Sequence, residues 1–276
     1  VSSVSLDSRA TSSERGNSVK VAAPLLTVIV PVYNEVNTLE TILKRVYDSP
    51  VDKQIIVVDD GSTDGTAELL RQLAECEPME AHFHKTNRGK GRAIRTALEF
   101  AIGRYTVIQD GDLEYDPQDY HKLLEPLLSG EADVVYGSRY LNHSNDFSGR
   151  RTFDLGVKLL NFVVWLLYGK RITDEATCYK IFLTDTLRAM DLKCERFEFC
   201  PEVTAKACRL GLRFIELAIH YSPRSICDGK KIRVADGVAA LQILWSRRRW
   251  RTDSNVVAWP ESRVASDAAF AVRERR

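Results

Sequence analysis

The chain has 276 residues, of which 28% are charged and 44% hydrophobic, with 39 Lys and Arg against 38 Asp and Glu. So even a charge balance speaks against a nucleic-acid binder, and the lack of any apolar run of about 18 residues speaks against a transmembrane helix. The six cysteines form no Cys-x-x-Cys pair, which excludes a zinc knuckle or thioredoxin-type site and fits a reduced, cytosolic setting.

Residues 1–23 open Ser-rich and without a hydrophobic core, and read as a disordered tail, not a secretory signal. Leu26-Thr27-Val28-Ile29-Val30 and Gln54-Ile55-Ile56-Val57-Val58 are near-continuous apolar runs, the pattern of strands covered on both faces. A helix fits between them at 38–47, which makes a βαβ unit. Each strand runs into a polar turn, Pro31-Val32-Tyr33-Asn34-Glu35 and Asp59-Asp60-Gly61-Ser62-Thr63-Asp64-Gly65. Open parallel sheets bind ligands at such carboxyl ends. A helix over 67–75 and a short strand over 81–84 follow. Asn87-Arg88-Gly89-Lys90-Gly91-Arg92 is a basic glycine turn leading into a helix over 93–101. Lys90 and its arginines can face an anion, although the Gly-Lys-Ser/Thr ending of a Walker A loop is missing.

The strand over 105–109 ends in Asp110-Gly111-Asp112-Leu113-Glu114-Tyr115-Asp116-Pro117. Two carboxylates flanking a glycine at the end of a buried strand are costly unless a cation is near. Gly111 permits the turn that brings them together, and hard oxygen donors suit Mg²⁺ or Mn²⁺. The competing reading is an acidic turn capping a helix over 119–128. A strand at 134–136 leads to Gly137-Ser138-Arg139-Tyr140 and a polar loop over 141–151.

Residues 153–168 are apolar and helix-sized, with Trp165 and Tyr168 as suitable interfacial side chains. Both a membrane-interface helix and a buried core or dimer helix fit this pattern. Thr173-Asp174-Glu175 begins a polar turn that leads into Ile181-Phe182, followed by helices over 183–190 and from Pro201 to 210. A late strand occupies 213–218. Arg224, Lys230 and Lys231 form either a phosphate clamp or a solvated basic loop. An amphipathic helix over 236–245 precedes Arg247-Arg248-Arg249-Trp250-Arg251, a cationic aromatic patch suited to anionic headgroups or to solvent. The tail to 276 reads as irregular. Together these features describe an α/β chain with a mostly parallel sheet and two anion-facing halves.

The ordered series Val30–Glu35, Val58–Thr66, Asn87–Gly91, Asp110–Pro117, Gly137-Ser138-Arg139 and Thr173-Asp174 resembles family 2 glycosyltransferases of GT-A fold. The nearest group is that of dolichyl-phosphate mannose synthases and polyprenyl-phosphate glycosyltransferases. The resemblance runs from about residue 26 to about residue 231. It implies a Rossmann-like, mostly parallel mixed sheet flanked by helices, with a GT-A catalytic domain over 24–235 and a helix and tail over 236–276. It implies a nucleotide-sugar donor of the GDP-mannose or UDP-glucose type, a polyprenyl phosphate acceptor, and peripheral attachment to the cytoplasmic membrane face.

Under the same resemblance Pro31, Tyr33, Glu35 and Asp60 surround base and ribose, with Lys90, Asp110 and Gly111 also on the donor. Asp110, Asp112 and Glu114 are metal-ligand candidates, with Asp112 the most direct. Arg139, Arg224 and Lys231 meet phosphates. Asp174 or Glu175 is the first candidate base if the acceptor is a sugar hydroxyl. The alternatives are a family 2 transferase acting on a hydroxyl, a nucleotidyltransferase, and a catalytically silent nucleotide-sugar-binding protein.

Overall fold

The computed structural model describes residues 23–145, 151–224 and 234–252. The expectations for 1–22, for Lys230 and Lys231 and for the tail beyond 252 lie outside the described residues. In chain order the elements are β1 (Leu26–Val32), α1 (Leu39–Asp48), β2 (Lys53–Asp59), α2 (Thr66–Cys76), β3 (Glu80–Phe83), α3 (Lys90–Phe100), β4 (Tyr105–Ile108) and α4 (Tyr120–Leu128). Then come β5 (Val134–Ser138), α5 (Arg151–Tyr168), β6 (Lys180–Leu183), α6 (Thr184–Ala189), α7 (Phe199–Arg209), β7 (Phe214–Ala218) and α8 (Val234–Arg247).

One seven-stranded sheet has the order β3-β2-β1-β4-β6-β5-β7. The first four strands in that order are mutually parallel, and β6 runs antiparallel to both β4 and β5. The mixed, mostly parallel sheet agrees with the sequence reading. The antiparallel β6 is an addition: the sequence shows a polar turn to Lys180 leading into Ile181-Phe182, with a helix from Leu183. Four residues are too short to show a period, and the partners of β6 lie far away in sequence.

The two-residue period of a strand explains why β1 and β2 are apolar at successive positions through Val28–Val30 and Ile55–Val58. Val28, Val30 and Val32 pack with Ile55 and Val57 against α1 and α4 on one face. Ile29 packs with Ile56, Val58 and Ile108 against α3 and α7 on the other. Neither face meets water, so no alternation of polar residues survives. A third cluster joins α5, α7 and α8 through Val164, Ala205 and Leu244, and Tyr168 Oη donates to the Leu244 carbonyl. The C-terminal helix therefore packs onto the same body. Part of the basic patch after it folds back as well: Arg247 pairs with the buried Glu202 at 3.4 Å, and Lys206 Nζ sits over the Trp250 ring.

Candidate active site

Three parallel strands, β2, β1 and β4, end side by side, and their turns build one polar edge. At the end of β2 the acidic residues are occupied by backbone donors. Asp59 accepts from the amides of Gly61 and Ser62, and Asp64 from those of Thr66 and Val36. Gly61 is required there: its φ is +74°, and a Cβ would lie 2.6 Å from the Thr86 carbonyl carbon. Asp60 accepts from the Arg88 and Gly89 amides and contacts His84 Nδ1 at 2.7 Å. Asp60 thus ties the basic glycine turn to β2, and the carboxylates of this turn form no metal cluster. Pro31 lies within β1, and Tyr33 and Glu35 follow that strand.

The turn after β4 carries the surplus charge. Asp110 pairs with Lys90 Nζ, at the first residue of α3. Burial on its own would raise the Asp110 carboxyl, but the Lys90 ammonium overcomes it and leaves Asp110 below the usual range. The anion that Lys90 faces in this structure is the Asp110 carboxylate. Asp112 is pushed up to about 7 by burial, then by the charges of Asp110 and Glu114, with Arg224 pulling the other way. Arg224 Nη2 donates to Asp112 Oδ2 at 2.6 Å, and Nη1 donates to Glu35 Oε2 at 3.1 Å. The resemblance assigned Arg224 to phosphates, and the structure places it among carboxylates. Lys231, its expected companion, lies outside the described residues.

Gly111 lies against Val32 Cγ1, which a Cβ would meet at 2.8 Å, and its carbonyl accepts from Thr38 Oγ1 at 2.9 Å. Thr38 Oγ1 also reaches Glu35 Oε2 at 3.0 Å and so locks the ends of β1 and β4 together. Glu114 accepts from Tyr221 Oη at 2.8 Å and from the Arg224 amide at 2.8 Å. Asp110, Asp112 and Glu114 do not converge into a three-ligand cluster among the described residues. In this structure Glu114 holds the segment that delivers Arg224. Tyr115 and Tyr221 form the bridge that aligns this segment with the turn.

A hard divalent ion fits the pair. Asp112 is pushed up by burial and then by neighbouring negative charge, a condition a cation would relieve, and oxygen donors suit Mg²⁺ or Mn²⁺. Asp110 and Asp112 would hold it.

The second half of the site is built differently. Arg139, at the end of β5, donates through Nε and Nη2 to Asp174, each at 2.7 Å, and its amide donates to the same carboxylate at 3.0 Å. Arg139 is 4% and Asp174 0% exposed, so the pair is closed. Glu216 on β7 accepts from the amides of Thr173 and Asp174 and fixes the turn. Sequence reasoning missed Thr38, Tyr221 and Glu216. Thr38 stands three residues from Glu35, but nothing local marks its bond to Gly111. Glu216 sits inside an apolar strand, where a lone carboxylate was the available signal.

The fold defines a class: the chain is similar to solved GT-A glycosyltransferases. It matches glucosyl-3-phosphoglycerate synthase from Mycobacterium tuberculosis, crystallised with Mn²⁺, UDP-glucose and phosphoglyceric acid, at a TM-score of 0.61 and 21% identity, covering 83% of this chain and 82% of that one. The model for glycosyl transferase family 2 matches residues 27–191, and the chain belongs to that family. It is a glycosyltransferase. Among curated proteins it is 31% identical over 222 residues to polyprenol monophosphomannose synthase of Mycolicibacterium smegmatis, covering 75% of this chain and 83% of the relative. It is 29% identical to undecaprenyl-phosphate mannosyltransferase of Micrococcus luteus, covering 73% of this chain and 85% of the relative.

Proposed function

We propose that the protein transfers a hexose, mannose or glucose, from a nucleoside-diphosphate sugar to a polyprenyl phosphate at the cytoplasmic face of a membrane, with inversion at the anomeric carbon. The observation that carries the acceptor is α5. Leu155, Leu159, Phe162 and Leu166 are between 48% and 69% exposed and repeat at helical spacing along one face, with Trp165 beside them. This face begins next to Arg139: Tyr140 Oη donates to Asp154 Oδ1, one residue before Leu155, at 2.9 Å. A helix of this kind suits the membrane interface, and no helix among the described residues is long and apolar enough to cross a bilayer. The activities named for the mycobacterial and Micrococcus relatives support the same acceptor class.

The donor diphosphate lies on the edge formed by Asp110, Asp112 and the α3 N-terminus, with Pro31, Tyr33, Glu35 and Asp60 toward the nucleoside. Mg²⁺ or Mn²⁺, when bound, supplies charge stabilisation on the departing diphosphate. Arg224 and Lys90 bring positive charge to the same edge. The acceptor phosphate is already ionised near neutral pH, so its oxygen attacks the anomeric carbon opposite the leaving group without a dedicated base. Asp174 supports this reading over a hydroxyl acceptor. It is fully buried and bidentate to Arg139, which leaves it no path to a substrate hydroxyl. Asp174 acts by positioning Arg139.

The test is a screen of labelled GDP-mannose and UDP-glucose against undecaprenyl and dolichyl phosphates. We expect label in an organic-soluble, mild-acid-labile lipid together with release of nucleotide. Label moving only onto a water-soluble hydroxyl acceptor would overturn the assignment.

A further inference from the structure

Asp60 holds the basic glycine turn, and one side chain behind it holds Asp60. His84 is the residue after β3, and its amide donates to the Asp59 carbonyl at 2.8 Å, so the ring stands at the end of β2. Its Nδ1 lies 2.7 Å from Asp60 Oδ1, and its Nε2 lies 2.9 Å from Thr96 Oγ1 on α3. The His84 side chain is 11% and that of Asp60 4% exposed, so the bond between them is largely shielded from water. A carboxylate oxygen only accepts, so Nδ1 carries a hydrogen whatever the charge on the ring. In the neutral ring Nε2 then accepts from the Thr96 hydroxyl, and the two neighbours fix the tautomer.

Asp60 in turn accepts from the Arg88 amide at 3.0 Å and from the Gly89 amide at 2.6 Å. On its other side the turn is closed by Glu195, whose carbonyl oxygen leaves no room for a Cβ on Gly89 and accepts from the Arg92 amide at 2.9 Å. The next residue is Lys90, whose ammonium pairs with Asp110. An unbroken chain of contacts and covalent bonds thus runs from His84 through Asp60, Gly89 and Lys90 to the carboxylate turn after β4.

We propose that His84 is a positioning residue for the nucleotide donor: its Nδ1–H sets the Asp60 carboxylate in the orientation that gathers the Arg88 and Gly89 amides, and so shapes the turn that carries Lys90 to the donor edge. The donor clause rests on the function proposed above. His84 acts only through Asp60. Without the Nδ1 hydrogen, Oδ1 keeps only the Arg88 amide, which it shares with Oδ2. The carboxylate is then free to rotate and the turn loosens.

Two amide variants separate this role from packing. Asparagine branches at Cγ, as the imidazole does toward Nδ1, so His84→Asn keeps an N–H for Asp60 and loses the bond to Thr96. Glutamine carries its amide one carbon further, so His84→Gln reaches Thr96 and gives Asp60 nothing. Calorimetric titration of the full chain with GDP and with UDP in Mg²⁺ reads the donor edge. Hydrogen exchange of the Arg88 and Gly89 amides reads the turn without any ligand. For the nucleotide that the wild type binds, we expect His84→Asn to stay within about twofold of wild type and His84→Gln to be weaker by about tenfold, the size of one hydrogen bond to a charged group. Exchange at Arg88 and Gly89 should speed up in His84→Gln alone. Nitrogen NMR of the isotope-labelled wild type should show the hydrogen on His84 Nδ1. Equal losses in the two variants would mark a packing role and overturn the proposal, as would a His84→Gln that keeps both affinity and amide protection, or a ring with its hydrogen on Nε2 alone. Faster exchange in His84→Gln with unchanged nucleotide affinity would overturn the link to the donor. A wild type that binds neither nucleotide, with exchange still faster in His84→Gln, would reject the donor site of the proposed function and leave the positioning of the turn standing.

Discussion

The two halves of the site are both built from arginine and carboxylates, yet they are balanced in opposite ways. At the end of β5 one arginine meets one aspartate, Arg139 on Asp174, and every donor from the guanidinium to that carboxylate is short. Around the turn after β4, Glu35, Asp110 and Asp112 pair with Lys90 and Arg224, with Glu114 beside them, among the described residues. The first arrangement is complete without a ligand. The second sets more carboxylates than cations at the strand ends among the described residues, the arrangement a divalent cation would complete. Buried ion pairs of the first kind contribute specificity of geometry more than net stability. Sites of the second kind show perturbed protonation, as Asp112 does.

The largest effect is expected where the surplus is removed. Asp112→Asn should lower metal-dependent transfer by about a thousandfold, a size typical of losing a central group that stabilises transition-state charge. It should also weaken Mn²⁺ binding, measured without donor or acceptor. In the wild type, Mn²⁺ affinity should rise as the pH passes upward through about 7, where Asp112 gives up its proton, and Asp112→Asn should lose that rise. A variant that keeps both turnover and pH dependence would remove Asp112 from the site.

The balanced half should respond through stability. Asp174→Asn leaves Arg139 buried without its counter-charge, which costs about 3–5 kcal/mol by the usual measure of a broken buried pair. Urea unfolding checks this, and the double variant Arg139→Met with Asp174→Leu should recover most of the loss while transfer stays low. If Asp174→Asn lowers turnover with no loss of stability, Asp174 is not merely a positioning residue and the contrast between the halves breaks.

A smaller effect is expected one residue further on. Glu175 is fully buried and pushed up to about 7, chiefly by burial, with Lys180 opposing. Its Oε1 accepts from Thr204 Oγ1 at 3.1 Å, while Oε2 has no partner. The folded state therefore holds a proton that the unfolded chain releases above its ordinary carboxylate pKa. The sign follows: the contribution of Glu175 is most favourable below that ordinary value and is lost as the pH rises to about 7. The change is on the order of 2 kcal/mol. Glu175→Gln should flatten this part of the stability–pH curve, measured as urea midpoints across that range.

The chemistry of the strand ends was legible in the chain because it is local. Val28–Val30 and Ile55–Val58 are apolar on both faces, so a covered parallel sheet follows from composition and period alone, and polar residues at the carboxyl ends of its strands mark the ligand edge. Asp110 and Asp112 stand out because a glycine separates them at the end of a buried strand. The exposed stripe of α5 was visible as a helix-sized apolar segment, but the choice between membrane and core depended on its packing. Leu159 and Phe162 face outward, while Val157 and Val164 face the protein.

Tertiary structure alone decided which charges meet. Asp60 and Asp112 look alike in sequence, since each follows a strand beside another aspartate. Folding brings backbone amides of a distant turn onto Asp60, and onto Asp112 an arginine from more than a hundred residues away beside the local Glu114 amide. The same holds for Glu114, which the resemblance grouped with Asp110 and Asp112 and which Tyr221 and the Arg224 amide engage. Propensity and hydrophobic period act within a few residues, so the sequence by itself determined the sheet, its ligand edge and the residue types on it. Charge pairing acts across whatever distance the chain closes. Which carboxylates meet which cations was therefore decided only by the packing of β4, β6 and β5, and of the segment from Tyr221 to Arg224, against one another.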